Sequence, residues 1–564
     1  MSIDGDAPLS RRQWLEHVSV PAAASLGAAS LGVSTVGAQR APARAPNDHG
    51  ARVYNVRDFG AKGDGTTLDT AALQAAIDAC TRDRGGVVLV PAGDFLTGTF
   101  ELKSNVTLRI AAQGRILGTA DPAQYRAGNG VPPGNGNIVL LSATNAENVT
   151  IEGEGTIDGQ GKKFFTGKGD GTGPGGNFQT SYYQRPHLIV FYKVKNLRVR
   201  DVFLTASAYH CTRILDCENV ILDGVRIYNR VNLNNDGFHI NSSRYVHIVN
   251  CDIQCQDDAC ALFGSNKWVT VTNCTFSTRW SIFRFGGGQA ENITISNCVI
   301  NDTFGAVVKM RCGGNSRFEN ISFSNLIMRN VTGPISIGLD STRRNPSNSP
   351  NAPPPAKGIV RNIAFNGIRA FVVATPRQYP DMAWPQNYRP GEFKSCIVLN
   401  GVGDEMLEEI SFTDVHCTYE GGGTLAEGAV RDVPKLAGEY FELGILPAYA
   451  MYARNVRGLS LHNVRFRIES PDLRPAIIMD HVVDATLNGV SAQGNPQAEA
   501  VMRLIESRDV LVTAPRVLTP AAAFLHVEGA TTEGIRVDGG DIGRAAKPAT
   551  FAAGAKTGAV VVRG

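Results

Sequence analysis

Asn219-Val220-Ile221-Leu222, Tyr245-Val246-His247-Ile248, Trp268-Val269-Thr270-Val271 and Asn292-Ile293-Thr294-Ile295 repeat one phrase: a polar or aromatic opener, then apolar, polar, apolar. Alternation of period two places one side chain in and the next out, so each phrase reads as a short half-buried strand. The phrase begins at Asn196-Leu197-Arg198-Val199 and continues through Asn320-Ile321-Ser322-Phe323, Asn362-Ile363-Ala364-Phe365, Glu409-Ile410-Ser411-Phe412 and Gly458-Leu459-Ser460-Leu461. Its first apolar residues are 23, 26, 23, 24, 28, 42, 47 and 49 positions apart by subtraction. The first five intervals are single coils, and the last three need long loops. A coil of this length cannot bury its inner face alone, but coils stacked about 4.8 Å apart build a continuous core. The spacing therefore predicts an all-β, right-handed, single-stranded parallel β-helix.

Composition agrees. The chain has 564 residues, 61 of them glycine, with 43% hydrophobic and 19% charged residues. A solenoid grows by adding coils, so this length does not demand several domains. Lys and Arg total 55 against 52 Asp and Glu, a net charge of +3 with no block of one sign, which leaves no footprint for nucleic acid or an anionic membrane. Eleven cysteines without CxxC or Cys/His spacing predict neither a disulfide scaffold nor a zinc site. Asn250-Cys251, Asn273-Cys274 and Asn297-Cys298 recur at one point of successive coils, and predict inward asparagine ladders with Cys packed on Cys. The Asn-Val/Ile-Thr/Ser matches at Asn148, Asn292 and Asn320 are strand grammar and carry no inference about glycans.

Around the coils the expected division is residues 1–38 as an export signal, 39–52 as a linker, 53–125 as an N-terminal cap with the first coils, 126–500 as the catalytic β-helix and 501–564 as C-terminal coils. Ser10-Arg11-Arg12-Gln13-Trp14-Leu15, a weakly apolar stretch from Val18 to Val36, and Val36-Gly37-Ala38 resemble a bacterial twin-arginine signal. That implies a periplasmic or extracellular protein. An amphipathic helix from Asp69 to Cys80, with Asp69 as its N-cap, is the natural cover for the open end of the solenoid. Gly60, Gly63 and Gly65 before it lack the Lys-Ser/Thr of a phosphate loop and read as a turn. The Pro- and Asn-rich run 345–357 reads as a surface loop.

Asn234-Asn235-Asp236-Gly237 and Gln256-Asp257-Asp258-Ala259 hold three carboxylates about one coil apart, on neighbouring rungs of one face. Clustered carboxylates repel when ionised, which raises at least one pKa and leaves an acid beside a base. Glycoside hydrolysis needs that pair, one group to protonate the leaving oxygen and another to attack or to activate water.

With Tyr54-Asn55-Val56, Asp58-Phe59-Gly60-Ala61-Lys62-Gly63-Asp64-Gly65, and Leu446-Pro447-Ala448-Tyr449, these motifs resemble the polygalacturonases of glycoside hydrolase family 28, from about Val53 to Val490. The resemblance implies hydrolysis of a pectin-type polysaccharide with inversion and no metal; no other cofactor is expected, and a monomer is. It implies Asp257 as general acid, with Asp236 and Asp258 activating water. Three family features are absent: the histidine of Gly-His-Gly, where this chain reads Ser277-Thr278-Arg279-Trp280; the arginine of Arg-Ile-Lys, where it reads Val307-Val308-Lys309; and a tyrosine near Gly333-Pro334. Lys309 remains as a substrate contact, and Arg279, Arg284 or Arg311 could supply the second charge from another position. Asn234 is a further candidate for substrate binding. His239 either supports Asp236 or is a satisfied core histidine. Trp268 and Trp280 are candidate sugar platforms, and Tyr182, Tyr183, Arg185 and His187 a candidate cleft wall. A Ca²⁺-dependent lyase on the same fold and a non-catalytic glycan-binding β-helix are the rival readings.

Overall fold

The computed structural model describes residues 50–128, 138–164, 185–342, 355–382 and 386–563. The signal stretch, residues 39–49 of the linker, Tyr182, Tyr183 and residues 345–354 lie outside them. The chain forms a parallel β-helix whose coils close into two long sheets, one of 28 strands and one of 16. Pairing in the second is parallel except where Arg126–Ala127 runs antiparallel to Ile138–Thr144.

The repeated phrase is one register line of the larger sheet. Leu197, Val220, Val246, Val269, Ile293, Ile321, Ile363, Ile410 and Leu459 are successive partners. The line then continues through Ala485, Val510 and Ile535, three further coils that keep the phrase as Asp484-Ala485-Thr486-Leu487, Asp509-Val510-Leu511-Val512 and Gly534-Ile535-Arg536-Val537. All of these residues are buried, and stacking extends to aromatic rings: Phe323 on Phe365 and Phe365 on Phe412 lie 4.9 Å apart and almost parallel. The helix α1 (Thr70–Arg82) closes the first coils with Leu73, Ala76, Ile77 and Cys80. Asp69 is its N-cap residue, with Leu73 N donating to Asp69 O at 3.0 Å, but its side chain makes no capping bond. Its carboxylate instead accepts from Lys62 N at 2.7 Å and Gly63 N at 2.9 Å, fixing the glycine turn.

The cysteines behave as predicted and the asparagines do not. All eleven thiols are buried and free, and Cys251 N donates to Cys274 Sγ at 3.4 Å. Asn250, Asn273 and Asn297 face outward, with φ between 54° and 56°. Asparagine tolerates this left-handed conformation, so the ladder follows the turns and not the core. A second outer ladder runs through Asn105, Asn148, Asn196 and Asn219, each amide bonded to the next. Tyr245 and Trp268 interrupt it, exposed and stacked at 4.7 Å.

The long final intervals hold excursions from the sheets. One carries two single-turn helices, α2 (Leu425–Gly428) and α3 (Tyr440–Leu443), and packs Tyr440, Leu443 and Leu446 against Ala306, Cys396 and Val398 of the smaller sheet.

Candidate active site

Five strands of the smaller sheet position the site: β1 (Thr212–Leu215), β2 (Phe238–Asn241), β3 (Cys260–Phe263), β4 (Ser281–Gly286) and β5 (Ala306–Gly313). Phe238 pairs with Cys260, and Gly237 N donates to Asp258 O at 2.9 Å, so Asp236 lies over Asp258 on the next rung. Ser281 comes next in the same column and its hydroxyl donates to Asp258. The column spacing is 22 residues, one more than the separation of Asp236 from Asp257. Asp257 sits beside the column, with Gln256 N and Asp257 N both on Asn235 O at 3.2 Å.

The turns are built to hold these carboxyls. Asn235 is buried, accepting from Val231 N and Asn232 N and donating to Ser207 O and Tyr209 O. Asn234 takes the left-handed conformation at φ 54°, donates to Asp257 Oδ2 at 3.2 Å and accepts from Arg185 at 3.1 Å. Both polar atoms of its amide thus make contacts inside the site. The Ser277-Thr278-Arg279-Trp280 segment supports Asp257 from the other side through the Thr278 hydroxyl on Asp257 O.

Asp236 and Asp258 are almost wholly buried, whereas Asp257 is the most exposed of the three. Burial, then Asp236, then Asp258 push the Asp257 carboxyl well above its usual range. Burial and Asp258 likewise raise Asp236. Three carboxyls in one desolvated site cannot all ionise together, which leaves a proton donor next to an acceptor.

His239 contacts Asp236, with Nδ1 2.8 Å from Oδ2. His210, which sequence reasoning missed, stacks on His239 at 4.7 Å and approaches the same oxygen at 3.7 Å. Burial holds His239 down at about 4 and lowers His210 well below its ordinary range, so both are neutral imidazoles near pH 7. Arg213 was also missed. It occupies the position of His239 one rung earlier, the row continuing through Ala261 and Arg284 to Lys309. The coil repeat that located the aspartates locates that row as well.

The predicted basic residues separate. Lys309 is buried, lies 4.7 Å over Trp280 and is close enough to Asp258 to be influenced by it. Arg284 and Arg311 join Lys309 around Glu439. Arg279 does not: it donates to Phe304 O and Asn387 O, pairs with Glu392 at 3.2 Å and covers Tyr388, so it holds a loop in place. Arg185 and Tyr209 stack at 4.5 Å and His187 rests on Tyr209; Arg185 and His187, expected in a cleft wall, are both buried. Trp268 lies on the other sheet, against Tyr245.

The family model described as "Glycosyl hydrolases family 28" matches residues 80–378. The exo-poly-alpha-D-galacturonosidase of Dickeya chrysanthemi is 27% identical over 394 residues, 60% of this chain and 60% of that protein. The polygalacturonase of Persea americana is 28% identical over 307 residues, covering 52% and 63%. The chain thus spans about three fifths of the length of these relatives. Among solved structures, a family 28 exopolygalacturonase of Yersinia enterocolitica superposes with a TM-score of 0.58 at 20% identity, over 77% of this chain and 78% of that one. A hyperthermoactive exopolygalacturonase of Thermotoga maritima gives 0.55 at 20% identity, over 74% and 92%. At that identity the likeness is one of fold.

Proposed function

The chain belongs to glycosyl hydrolase family 28, and from that premise we propose that it hydrolyses an O-glycosidic bond of a pectin-type chain with inversion, using Asp257 as general acid and Asp236 with Asp258 as the base. The observation that carries this reading is the column of Asp236 and Asp258 with the more exposed, proton-holding Asp257 beside it. Asp257 gives its proton to the glycosidic oxygen as the bond to the anomeric carbon breaks. Water attacks that carbon from the opposite face and passes a proton to Asp236 or Asp258, producing two sugar ends and leaving the net proton count of the site unchanged. Neutral His239 fixes the Asp236 carboxylate, and Ser281 fixes Asp258. Both orient the base before water arrives.

The substrate is a polysaccharide or its fragments, and the Arg11-Arg12 segment would deliver the protein, as a monomer, to the periplasm or beyond. Eleven free thiols are compatible with that route because all of them are buried away from oxidants. Asp257→Asn tests the assignment. Release of reducing ends from pectic oligosaccharides should fall about 10²–10⁴-fold, the usual share of a general acid, with circular dichroism unchanged. NMR of the first products should show inverted anomeric configuration. Undiminished release by the folded variant would sink the assignment.

A further inference from the structure

Arg284 and Lys309 project outward at one position of adjoining rungs, and Arg311 leaves β5 two residues later on the same side. Cations gathered this closely in a desolvated place repel one another unless an anion stands among them. Glu439 is that anion. One of its carboxylate oxygens lies 3.1 Å from Lys309 Nζ and 3.5 Å from Arg311, and the other lies 3.7 Å from Arg284. Burial pulls the Glu439 carboxyl up, but the three cations override it and hold the group ionised.

Glu439 does not belong to a coil. It stands at the start of α3, in the excursion that packs on the smaller sheet, and two glycines admit it. A Cβ on Gly333 would come within 2.3 Å of the Tyr440 ring, and one on Gly338 within 2.8 Å of Ala437 Cβ. The Tyr440 hydroxyl reaches the carbonyls of Ile335 and Cys396 at 2.9 and 2.8 Å. The carboxylate therefore comes from a backbone clamped to the sheet. It sits at the flank of the catalytic cluster, because Lys309 lies near both Asp258 and Glu439. Trp280 and Phe441, 6.2 Å apart, frame the opening.

We infer that Glu439 sets specificity, occupying the place where these cations would receive a substrate carboxylate, so that the position beside the catalytic aspartates takes an uncharged ring and rejects a free uronate. A methyl-esterified galacturonate is the simplest such ring. A free carboxylate there would face Glu439 at like charge, with Lys309, Arg284 and Arg311 already engaged. Arg389 over Phe441 at 3.2 Å and Lys309 over Trp280 at 4.7 Å add further positive charge that is already committed to ring faces.

This inference rests on the hydrolase reading, and one comparison separates the two. Rates of reducing-end release are measured on oligogalacturonides of one length, free or fully methyl-esterified. The wild type should favour the ester, and Glu439→Gln should move the ratio of kcat/KM toward the free acid by about tenfold or more, the effect of removing a like-charge contact. Should Glu439→Gln fail to fold, the double variant Arg284→Met/Glu439→Gln, which removes a cation with the anion, is held to the same criterion. A wild type that prefers the free acid overturns the inference, as does a folded variant that slows on both substrates alike. No release by the wild type from either substrate sinks the hydrolase reading and this inference with it.

Discussion

Two clusters in this solenoid use the same residue types and do opposite things with them. His210, Asp236 and His239 at the site each bring an atom within 4.8 Å of the others, and so do Glu499, His526 and Glu528 in the last coils. In the late cluster the counter-charges are in contact: Arg431 lies 2.5 Å from Glu499 and 2.6 Å from Glu528, and Arg503 lies 2.5 Å from Glu499. Burial pulls Glu528 up, but contacts with His526 and Arg431 hold it at about 2. At the site the partners of Asp236 are two imidazoles kept neutral by burial, and its carboxyl rises. A carboxylate becomes a clamp when a guanidinium touches it. It becomes a reactive group when the nearest partners are neutral and the cations stand further off.

The widest separation of the two clusters comes from removing one acid from each. Asp257→Asn should abolish nearly all turnover and yet raise stability at neutral pH, whereas Glu528→Gln should keep turnover and lose about 1–3 kcal/mol, the worth of charge-assisted hydrogen bonds. The pH dependences have opposite signs. Asp257 has a folded-state pKa above its ordinary 3.8, so the native state holds the proton longer and wild-type stability falls relative to the Asn variant as pH rises beyond that value. Glu528 is depressed from 4.5 to about 2, so its contribution is complete above 4.5 and disappears as pH falls toward 2. Urea midpoints of both variants and the wild type from pH 3 to 8 check this. Parallel curves would mean that the two clusters do not differ in the way described.

The smaller effect of His239→Phe probes how the site holds its base. Phenylalanine keeps the ring that lies between Phe263, at 5.1 Å, and His210, and removes only the donor to Asp236. Losing a hydrogen bond to a charged group should lower kcat about tenfold to a hundredfold. Asp236 should then ionise less readily, which moves the acid limb of the kcat/KM profile to higher pH and leaves the alkaline limb, set by Asp257, in place. Both limbs moving together, or neither, would make His239 a packing residue.

What the sequence could reveal follows from how each feature is repeated. Val246, Val269 and Ile293 recur because every coil must bury the same position, and the aspartates on adjoining coils inherit that register. His210 and Arg213 lie on the same lattice and were legible in principle, since Arg213 is one rung before His239. Glu439 was not. It reaches Lys309 from 130 residues further along the chain, out of an excursion with no period, and only the close approach at Gly333 and Gly338 brings it there. The asparagines were misplaced for a related reason: period-two patterning tells strand faces apart but says nothing of the left-handed turn between strands.

The smallest expected effect is that of a metal ion, and here the two clusters should agree. Each offers three ligands of two types, imidazole and carboxylate, at metal-binding separation, so geometry alone would admit Zn²⁺ or a similar ion. Charge argues otherwise in both. Arg431 and Arg503 already satisfy Glu499 and Glu528, and a dication would have to displace them. At the site, Asp236 Oδ2 is bonded to His239 Nδ1, and Arg213 and Lys309 bear on the same carboxylate, so a cation would meet their repulsion in a desolvated place. Dialysis against a chelator should therefore change neither the melting temperature nor reducing-end release, and protein equilibrated with equimolar Zn²⁺ and desalted should retain far less than one ion per chain by mass spectrometry. A Ca²⁺-dependent lyase would fail the chelator arm outright, and its unsaturated product would absorb in the ultraviolet. One retained ion that disappears with His526→Ala would show that contact with arginine does not silence a ligand set, and would undo the contrast from its structural side.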